Sequence, residues 1–312
     1  MKSSGTGSQT NSQVVDISST RTPVVDSGIV PESRSDSGSP TLAVRNPTRN
    51  SRSVLKESSR KILCANTPVV ILAGGKGTRL RPYTTVLPKP LMPVGQYPIL
   101  EILLRQLADQ GFRNVTLAVG HLAGIIQAYF KDGSDLGLDI TYSYEATPLG
   151  TAGPLAKLPQ TEHSTLVLNG DLLTNVNFGT IVRHHSECGA AATIGTKRRT
   201  ETVQFGVIES EADGRITQYR EKPNLDYLVS MGIYVFSPEV REFIPRRTKF
   251  DFPELVQALL ANNKRVVGYE TTAYWMDIGR PDDYEQANID FPEMESLFLN
   301  QHVESKAVGT RV

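Results

Sequence analysis

From residue 68 onward the chain alternates short apolar runs with stretches whose apolar residues recur at helical spacing. The run VVILA at 69–73 is continuously apolar, which is typical of a strand buried on both faces. The stretch 99–111 has helical spacing and ends at a glycine suited to a helix terminus. The same patterns predict strands at 115–120, 138–144, 165–171 and 190–196, and helices at 122–130 and around 178–187. This order predicts an α/β fold with a mainly parallel, doubly wound sheet.

The pattern changes after about residue 200, where shorter alternating stretches predict antiparallel or mixed strands. The predicted elements are strands at 205–210 and 215–221 around a turn at 211–214, a strand at 230–237, a helix at 251–262, a strand at 265–270 and a helix at 280–288. We therefore expect one α/β core whose second half adds a smaller mixed-sheet lobe.

The first 61 residues differ in composition, being rich in Ser, Thr, Arg and Pro with almost no aromatic residues. Such a segment buries too little apolar surface to offset its ordering entropy, so we predict that it is disordered. Its basic second half is a solvated tail, a docking segment for an acidic partner or a phosphorylation target. The expected organisation is a tail over 1–61, one domain over 62–295 and a C-terminal tail over 296–312.

Charge, hydropathy and cysteine content argue against several classes of protein. Lys+Arg and Asp+Glu both number 33, which argues against nucleic acid or an anionic membrane as the main partner. No apolar run is long enough to span a bilayer, and the N-terminus lacks the apolar stretch of a secretory signal. Two cysteines, Cys64 and Cys188, make neither a disulfide framework nor a zinc site. These features predict a cytoplasmic protein.

The stretch LAGGKGTRLRPYTTVLPKPLMP at 72–93 carries the first candidate chemistry. Its glycines allow backbone amides to approach an anion closely, but their spacing matches neither a dinucleotide fingerprint nor a P-loop. Several prolines predict an extended loop that returns Lys89 to the ligand that Arg79 touches. Two cations on one polyphosphate favour nucleotidyl transfer, and the alternative is a surface turn with solvated basic residues.

Two aspartates follow apolar runs, Asp171 after TLVLNG and Asp277 within AYWMDIG. Ligands of open parallel sheets bind outside the carboxyl ends of the strands, where both acids are expected. A pair of carboxylates facing phosphate oxygens is a common way to hold Mg²⁺. The alternative is that each acid caps a turn or a helix.

A third candidate is Glu221-Lys222-Pro223, at the end of a predicted strand with Gly206 before it and Gly232 after it. A carboxylate can accept hydrogen bonds from sugar hydroxyls, and an ammonium group can neutralise a sugar phosphate. A solvated surface pair is the alternative.

Six motifs in order, LAGGKGTRLRP, PKPLMPV, LNGD, FGVIE, REKP and WMDIG, resemble those of the sugar-1-phosphate nucleotidyltransferases over roughly residues 67 to 290. The resemblance implies a Rossmann-like core. It also implies the reaction of an NTP with a sugar 1-phosphate to give an NDP-sugar and pyrophosphate. Mg²⁺ is the implied cofactor.

The resemblance further implies roles for individual residues. Arg79 would contact the leaving pyrophosphate, Lys89 the α-phosphate, and Asp171 and Asp277 the Mg²⁺. The implied nucleotide-binding residues are Leu72, Ala73, Gly74, Gly75, Gly77, Thr78, Glu145, Gly150 and Thr151. The implied sugar-phosphate site comprises Gly170, Gly206, Glu221, Lys222 and Gly232.

The base is predicted from Glu145 in the stretch YEATPLGTAG, which matches the family's base-recognition segment. Thymidylyl-transferring relatives have Gln there, whereas a carboxylate can only accept hydrogen bonds. It therefore suits the N1–H and N2–H₂ groups of guanine. This favours GTP with a mannose-like or heptose-like 1-phosphate.

The resemblance is to a short form of the family, without a left-handed β-helix domain or a helical C-terminal extension. Quaternary structure does not carry over, and a homo-oligomer is one expectation. The alternatives to a guanylyltransferase are a glucose-1-phosphate thymidylyl- or uridylyltransferase, a non-catalytic regulatory subunit and a nucleotide-sugar sensor. Arg79, Lys89 and both aspartates are present, which favours an active enzyme.

Overall fold

The structure is a computed structural model that describes residues 61–145, 147–159 and 161–299. The tail predicted over 1–61 therefore lies outside the described residues, except for residue 61, and so does the chain from residue 300 onward. Residues 61–66 are helical and lead into the first strand.

Thirteen strands and five further α-helices follow in the described part of the chain. The strands are β1 (Val69–Ala73), β2 (Pro93–Val94), β3 (Tyr97–Pro98), β4 (Asn114–Val119), β5 (Asp139–Tyr144), β6 (Thr165–Asn169), β7 (Leu172–Thr174), β8 (Ala192–Thr202), β9 (Val207–Ser210), β10 (Ile216–Arg220), β11 (Asn224–Phe236), β12 (Val266–Glu270) and β13 (Trp275–Asp277). The helices are α1 (Ile99–Asp109), α2 (Ala123–Phe130), α3 (Phe178–Cys188), α4 (Phe252–Ala261) and α5 (Pro281–Phe298).

Seven strands form the central sheet in the order β12-β8-β11-β6-β1-β4-β5. Strands β6, β1, β4 and β5 are mutually parallel. Strand β11 runs antiparallel to both β6 and β8, and β12 is parallel to β8. The predicted α/β class with a mixed sheet is thus confirmed. A single antiparallel strand, β11, separates the parallel half from β8 and β12.

Both faces of the sheet are covered, as the continuous apolar run of β1 predicts. Ile71 faces a core built with α1, α2 and α3, whereas its neighbour Val70 faces a second core that includes α4. Leu103 and Leu107 of α1 are fully buried, and each such leucine contributes about 1.5–3 kcal/mol to folding. This doubly wound arrangement places the carboxyl ends of β1 and β6 side by side.

The loop after β1 differs from the extended chain that its prolines predict. It contains three single-turn 3₁₀ helices, Thr78–Leu80, Tyr83–Thr85 and Lys89–Leu91. Proline is compatible with the first positions of such turns because it lacks only an N–H that would be unpaired there. The prediction of an extended loop was therefore wrong, since Pro82 and Pro88 each precede a turn and Pro90 lies within one.

Two short strands that the sequence pattern did not predict lie at the two acids, β7 directly after Asp171 and β13 ending at Asp277. Strand β13 pairs antiparallel with β7, and Asp277 lies opposite Leu172. Helix α5 also extends ten residues beyond the predicted end at 288 and contains Pro292. Its buried residues Ala287 and Phe291 belong to a third core below the loop at 78–94.

The predicted smaller lobe is an antiparallel ribbon with a hairpin. The distal halves of β8 and β11 pair from Asn224 opposite Thr202 to Ser230 opposite Thr196. Strands β9 and β10 form the hairpin between them. The register of β11 shifts between Ser230 and Tyr234, at a bulge that contains Gly232 with φ of 71°.

Candidate active site

The glycine loop folds back on itself so that Lys89 lies beneath its glycines. Gly77 has φ of 59°, and a Cβ there would lie 2.9 Å from Cγ2 of Thr84 and 3.1 Å from Cβ of Lys89. The Thr84 hydroxyl donates to the Gly77 carbonyl at 2.7 Å. These contacts require glycine at this position, because a side chain would face both backbone strain and collision. They also bring the ammonium stem of Lys89 beside Gly77 from twelve positions along the chain.

A cavity of about 300 Å³ opens between this loop, the carboxyl end of β6 and the loop after β5. Ten of the residues predicted from the resemblance line it, namely Leu72, Ala73, Gly74, Gly75, Lys89, Glu145, Gly150, Thr151, Gly170 and Asp171. Asn169 also lines the cavity and was missed, although it stands in the quoted motif LNGD. A cavity of this size at the carboxyl ends of parallel strands is a typical ligand site.

Two carboxylates and a cation lie close together, and two of the three groups, Lys89 and Asp171, line the cavity. The β7–β13 pairing sets Asp277 opposite Leu172, and the Ile278 amide donates to the Asp171 carbonyl at 3.1 Å. The Lys89 ammonium forms an ion pair with Oδ2 of Asp171, and both side chains are mostly buried. Oδ1 of Asp171 is buried and has no hydrogen-bond partner in the part of the chain that the structure describes. A buried carboxylate oxygen left unpaired is costly unless another ligand takes it up.

The neighbouring charges change the pKa of the Asp277 carboxyl group. Loss of surrounding water raises the pKa of Asp277, and the neighbouring Asp171 carboxylate raises it further. Lys89 and Arg79 oppose the rise. The Arg79 guanidinium lies near Gly279, where a Cβ would be 3.5 Å from Nη1. The charges of Asp171, Lys89 and Arg79 therefore all act on Asp277. Of the predicted catalytic, nucleotide and metal residues, four do not line the cavity, namely Gly77, Thr78, Arg79 and Asp277.

The donor set fits a divalent cation. Mg²⁺ binds through one or two carboxylates plus substrate phosphates and waters, and here one carboxylate oxygen is buried and unpaired beside a second carboxylate. Among the described residues no cluster of three or more His, Cys, Asp or Glu side chains could hold a metal. The two-carboxylate arrangement thus suits a metal that shares its coordination with a substrate.

Glu145 lies at the far end of the cavity, directly after β5. Its amide donates to the Val119 carbonyl at 2.9 Å, and its Oε2 accepts the Leu149 amide at 3.1 Å. Partial burial raises the pKa of the Glu145 carboxyl, which the Leu149 hydrogen bond and Lys157 counteract. One carboxylate oxygen therefore holds the loop, whereas Oε1 has no hydrogen-bond partner among the described residues and can accept from a ligand.

The predicted sugar-phosphate residues are only partly brought together. Gly170 lines the cavity, and Gly232 packs directly against the side chain of Asn169, which also lines it. Gly206, Glu221 and Lys222 lie instead around the β9–β10 hairpin and do not line the cavity. The Tyr219 hydroxyl donates to Oε2 of Glu221 at 2.8 Å, and Lys222 has φ of 42°.

With this geometry in place, comparison with known proteins assigns the class. Residues 68–293 match the family model described as nucleotidyl transferase. The chain belongs to this family.

The curated relatives that the chain resembles are named as sugar-1-phosphate nucleotidyltransferases. The chain is 38% identical over 242 residues to a UTP–glucose-1-phosphate uridylyltransferase of Synechocystis, covering 70% of this chain and 61% of that protein. It is 37% identical over 225 residues to the catalytic subunit beta of a Drosophila pseudoobscura mannose-1-phosphate guanylyltransferase, covering 70% and 60%. The chain thus spans about three fifths of the length of these relatives.

A solved structure confirms the fold. HddC from Yersinia pseudotuberculosis, crystallised with GMP-PN, aligns with a TM-score of 0.57 at 25% identity, covering 72% of this chain and 99% of that one. Within the described residues, no helix is long and apolar enough to cross a membrane.

Proposed function

We propose that the protein transfers a nucleotidyl group from an NTP to a sugar 1-phosphate, giving an NDP-sugar and pyrophosphate. The observation that carries this proposal is the ion pair of Lys89 and Asp171 in a glycine-bounded cavity, with the Asp277 carboxylate close enough to interact with both charges. Family membership and the names of the curated relatives support the same reaction class.

The reaction needs no general base, because the sugar phosphate is already an anionic nucleophile. One of its phosphate oxygens forms a bond to the α-phosphorus of the NTP while the bond from that phosphorus to the β-phosphate oxygen breaks. Pyrophosphate leaves with the electron pair. Catalysis then consists of positioning and of neutralising charge that develops on the phosphates.

Each group at the site has a role in this scheme. The amides of Gly74 and Gly75 and the guanidinium of Arg79 bind the triphosphate, and Arg79 stabilises the departing pyrophosphate. Lys89 neutralises charge at the α-phosphate, and its ion pair with Asp171 fixes the ammonium before substrate binds. Such preorganised cations are typically the largest contribution to catalysis.

Asp171 and Asp277 would hold Mg²⁺ when substrate is bound. The ion would supply Lewis-acid stabilisation of the phosphate oxygens. The unpaired Oδ1 of Asp171 supports this assignment, as does the carboxylate repulsion that raises the pKa of Asp277.

GTP is the nucleotide we favour. The free Oε1 of Glu145 can accept from the N1–H or N2–H₂ of guanine, which a pyrimidine does not present in the same way. Several guanylyltransferases are among the relatives, and HddC was crystallised with a guanine nucleotide analogue. The sugar we favour is mannose-like or heptose-like.

A second candidate is a uridylyltransferase acting on glucose 1-phosphate. The 38% identity with the Synechocystis uridylyltransferase favours it. A non-catalytic regulatory subunit is less well supported, because Arg79, Lys89, Asp171 and Asp277 are all present.

A pyrophosphate-release screen of four NTPs against a panel of sugar 1-phosphates, with Mg²⁺ and again with EDTA, tests the proposal. We expect turnover that requires Mg²⁺ and is fastest with GTP. Release that is fastest with UTP and glucose 1-phosphate would replace the guanylyl assignment by the second candidate. Well-folded protein without turnover on the whole panel would refute the reaction class.

A further inference from the structure

The loop that forms one wall of the nucleotide cavity is attached to a segment a hundred residues later. The amides of Ala152 and Gly153 both donate to the Phe250 carbonyl at 3.0 Å, and the Phe250 amide donates to the Leu149 carbonyl at 2.9 Å. The segment around Phe250 leads directly into α4. The shape of this wall therefore depends on the start of α4.

Asp251 makes the side-chain contacts in this attachment. Its Oδ1 accepts the Thr151 amide at 2.8 Å and the Thr151 hydroxyl at 3.3 Å. The same hydroxyl accepts the amide of Phe252, the first residue of α4, at 2.9 Å. The amide and the hydroxyl of Thr151 are thus both engaged by the start of the helix, although Thr151 lines the cavity.

Gly150 lies so close to Asp251 and Phe250 that it leaves no room for a side chain. It has φ of 80°, and a Cβ at this position would lie 2.5 Å from Oδ1 of Asp251 and 2.6 Å from the Phe250 carbonyl oxygen. Any side chain would push the loop away from Asp251. Glycine here permits the close approach on which the hydrogen bonds depend.

The contact is charge-assisted. The hydrogen bond from the Thr151 backbone holds the pKa of Asp251 below its usual range, and the Lys249 ammonium, 3.4 Å from Oδ2, adds to this. Glu145 closes the other end of the same loop through the Leu149 amide. Two carboxylates therefore hold the loop, Glu145 from the cavity side and Asp251 from behind it.

We propose that Asp251 is a positioning residue for nucleotide binding. It fixes the loop Leu149–Gly153 as the base-side wall of the cavity without contacting the nucleotide. The nature of the ligand rests on the proposed function, whereas the attachment itself is a feature of the fold.

The test is nucleotide binding by isothermal titration calorimetry with GTP and with UTP, each with Mg²⁺, on the full chain. In D251A we expect the dissociation constant of the preferred nucleotide to rise about tenfold, as for loss of a hydrogen bond to a charged group. D251N keeps an acceptor oxygen and should bind within about threefold of the wild type. In turnover, the KM for the NTP should rise in D251A while the KM for the sugar phosphate and kcat change by less than about twofold.

E254A is the matched control. Glu254 caps the same helix end by accepting the Asp251 amide at 2.7 Å, and among the described residues it has no hydrogen bond or ion pair with the loop. E254A should lower the melting temperature as D251A does, yet bind nucleotide as the wild type does.

Wild-type affinity for the nucleotide in D251A would overturn the inference. An equal loss of nucleotide affinity in E254A would also overturn it, because helix capping alone would then explain the effect of D251A. Wild-type protein that binds nucleotide but transfers nothing would refute the proposed function, while the calorimetric comparison still decides the role of Asp251. Wild-type protein that binds neither nucleotide would refute both.

Discussion

The ion pair between Lys89 and Asp171 allows a quantitative test of the site. The side chain of Lys89 is 12% exposed and that of Asp171 is 24% exposed, so the pair is intermediate between a surface and a buried salt bridge. Removing the ammonium in K89M leaves the Asp171 carboxylate, with its unpaired Oδ1, beside the Asp277 carboxylate. Exposed pairs contribute up to about 1 kcal/mol and breaking buried pairs costs about 3–5 kcal/mol, so we expect a loss of about 2 kcal/mol.

The assay is thermal and urea unfolding of the wild type, K89M, D171N and the double variant in EDTA. A loss of about 2 kcal/mol corresponds to a melting temperature lowered by about 4–8 °C in a domain of this size. The double variant should recover part of the loss, with a coupling energy of about 1 kcal/mol or more. Mg²⁺ with an NTP should narrow the difference between the wild type and K89M, because a divalent cation neutralises the two carboxylates that the lost ammonium leaves uncompensated.

A coupling energy near zero would refute the reasoning, since it would show that the ammonium and the carboxylate do not stabilise each other. The same variant tests the catalytic role separately. K89M should lower kcat by about 10²–10³-fold, the range found when one preorganised donor is removed.

Three further predictions concern the metal, the loop and the base. Because the pKa of Asp277 is raised on folding, its contribution to stability is present at low pH and is lost as the pH rises through that pKa. D277N in EDTA should therefore melt higher than the wild type at neutral pH, with no difference in acid, and should lose Mg²⁺-dependent turnover. A lower melting temperature of D277N at neutral pH would contradict the electrostatics. G77A should lower the free energy of unfolding by about 1–2 kcal/mol and raise the KM for the NTP. The control G137A is also at positive φ but has nothing within 4 Å of an added Cβ, so it should lose stability alone. Equal effects of the two variants on KM would argue against the loop contact. E145Q should raise the KM for GTP about tenfold and improve use of UTP or dTTP, and unchanged base preference would remove Glu145 from base recognition.

The order of buried elements could be predicted from the sequence because continuous apolar runs and helical spacing are local properties. The runs at β1, β4 and β6 fall where the pattern predicts, and α1 and α4 lie within one or two residues of their predicted bounds. The 3₁₀ turns after β1 were not predicted, since proline is compatible both with an extended chain and with the early positions of a turn. Helix α5 runs past its predicted end and includes Pro292 in its interior, where proline ordinarily ends or kinks a helix. Strands of three residues, such as β7 and β13, are too short to show periodicity.

The motifs predicted that Gly74, Lys89 and Asp171 lie at one site, and all three line the same cavity. What the motifs do not contain are partners fixed by tertiary pairing. The neighbourhood of Asp171 and Asp277 depends on the β7–β13 ladder, and the attachment of Thr151 to Asp251 joins residues a hundred positions apart. Nor does the motif REKP specify how its hairpin is oriented, and Glu221 and Lys222 lie outside the cavity in this structure.

Tracing the phosphate groups tests the central claim most directly. The protein is incubated with Mg²⁺, a sugar 1-phosphate and GTP labelled either at the α- or at the γ-phosphate, and the products are separated. We predict that the α-label appears in the NDP-sugar and the γ-label in pyrophosphate, in equal amounts, and that neither appears with D171N. A γ-label found in inorganic phosphate or on the sugar, or an α-label that never reaches the sugar, would contradict nucleotidyl transfer at this site.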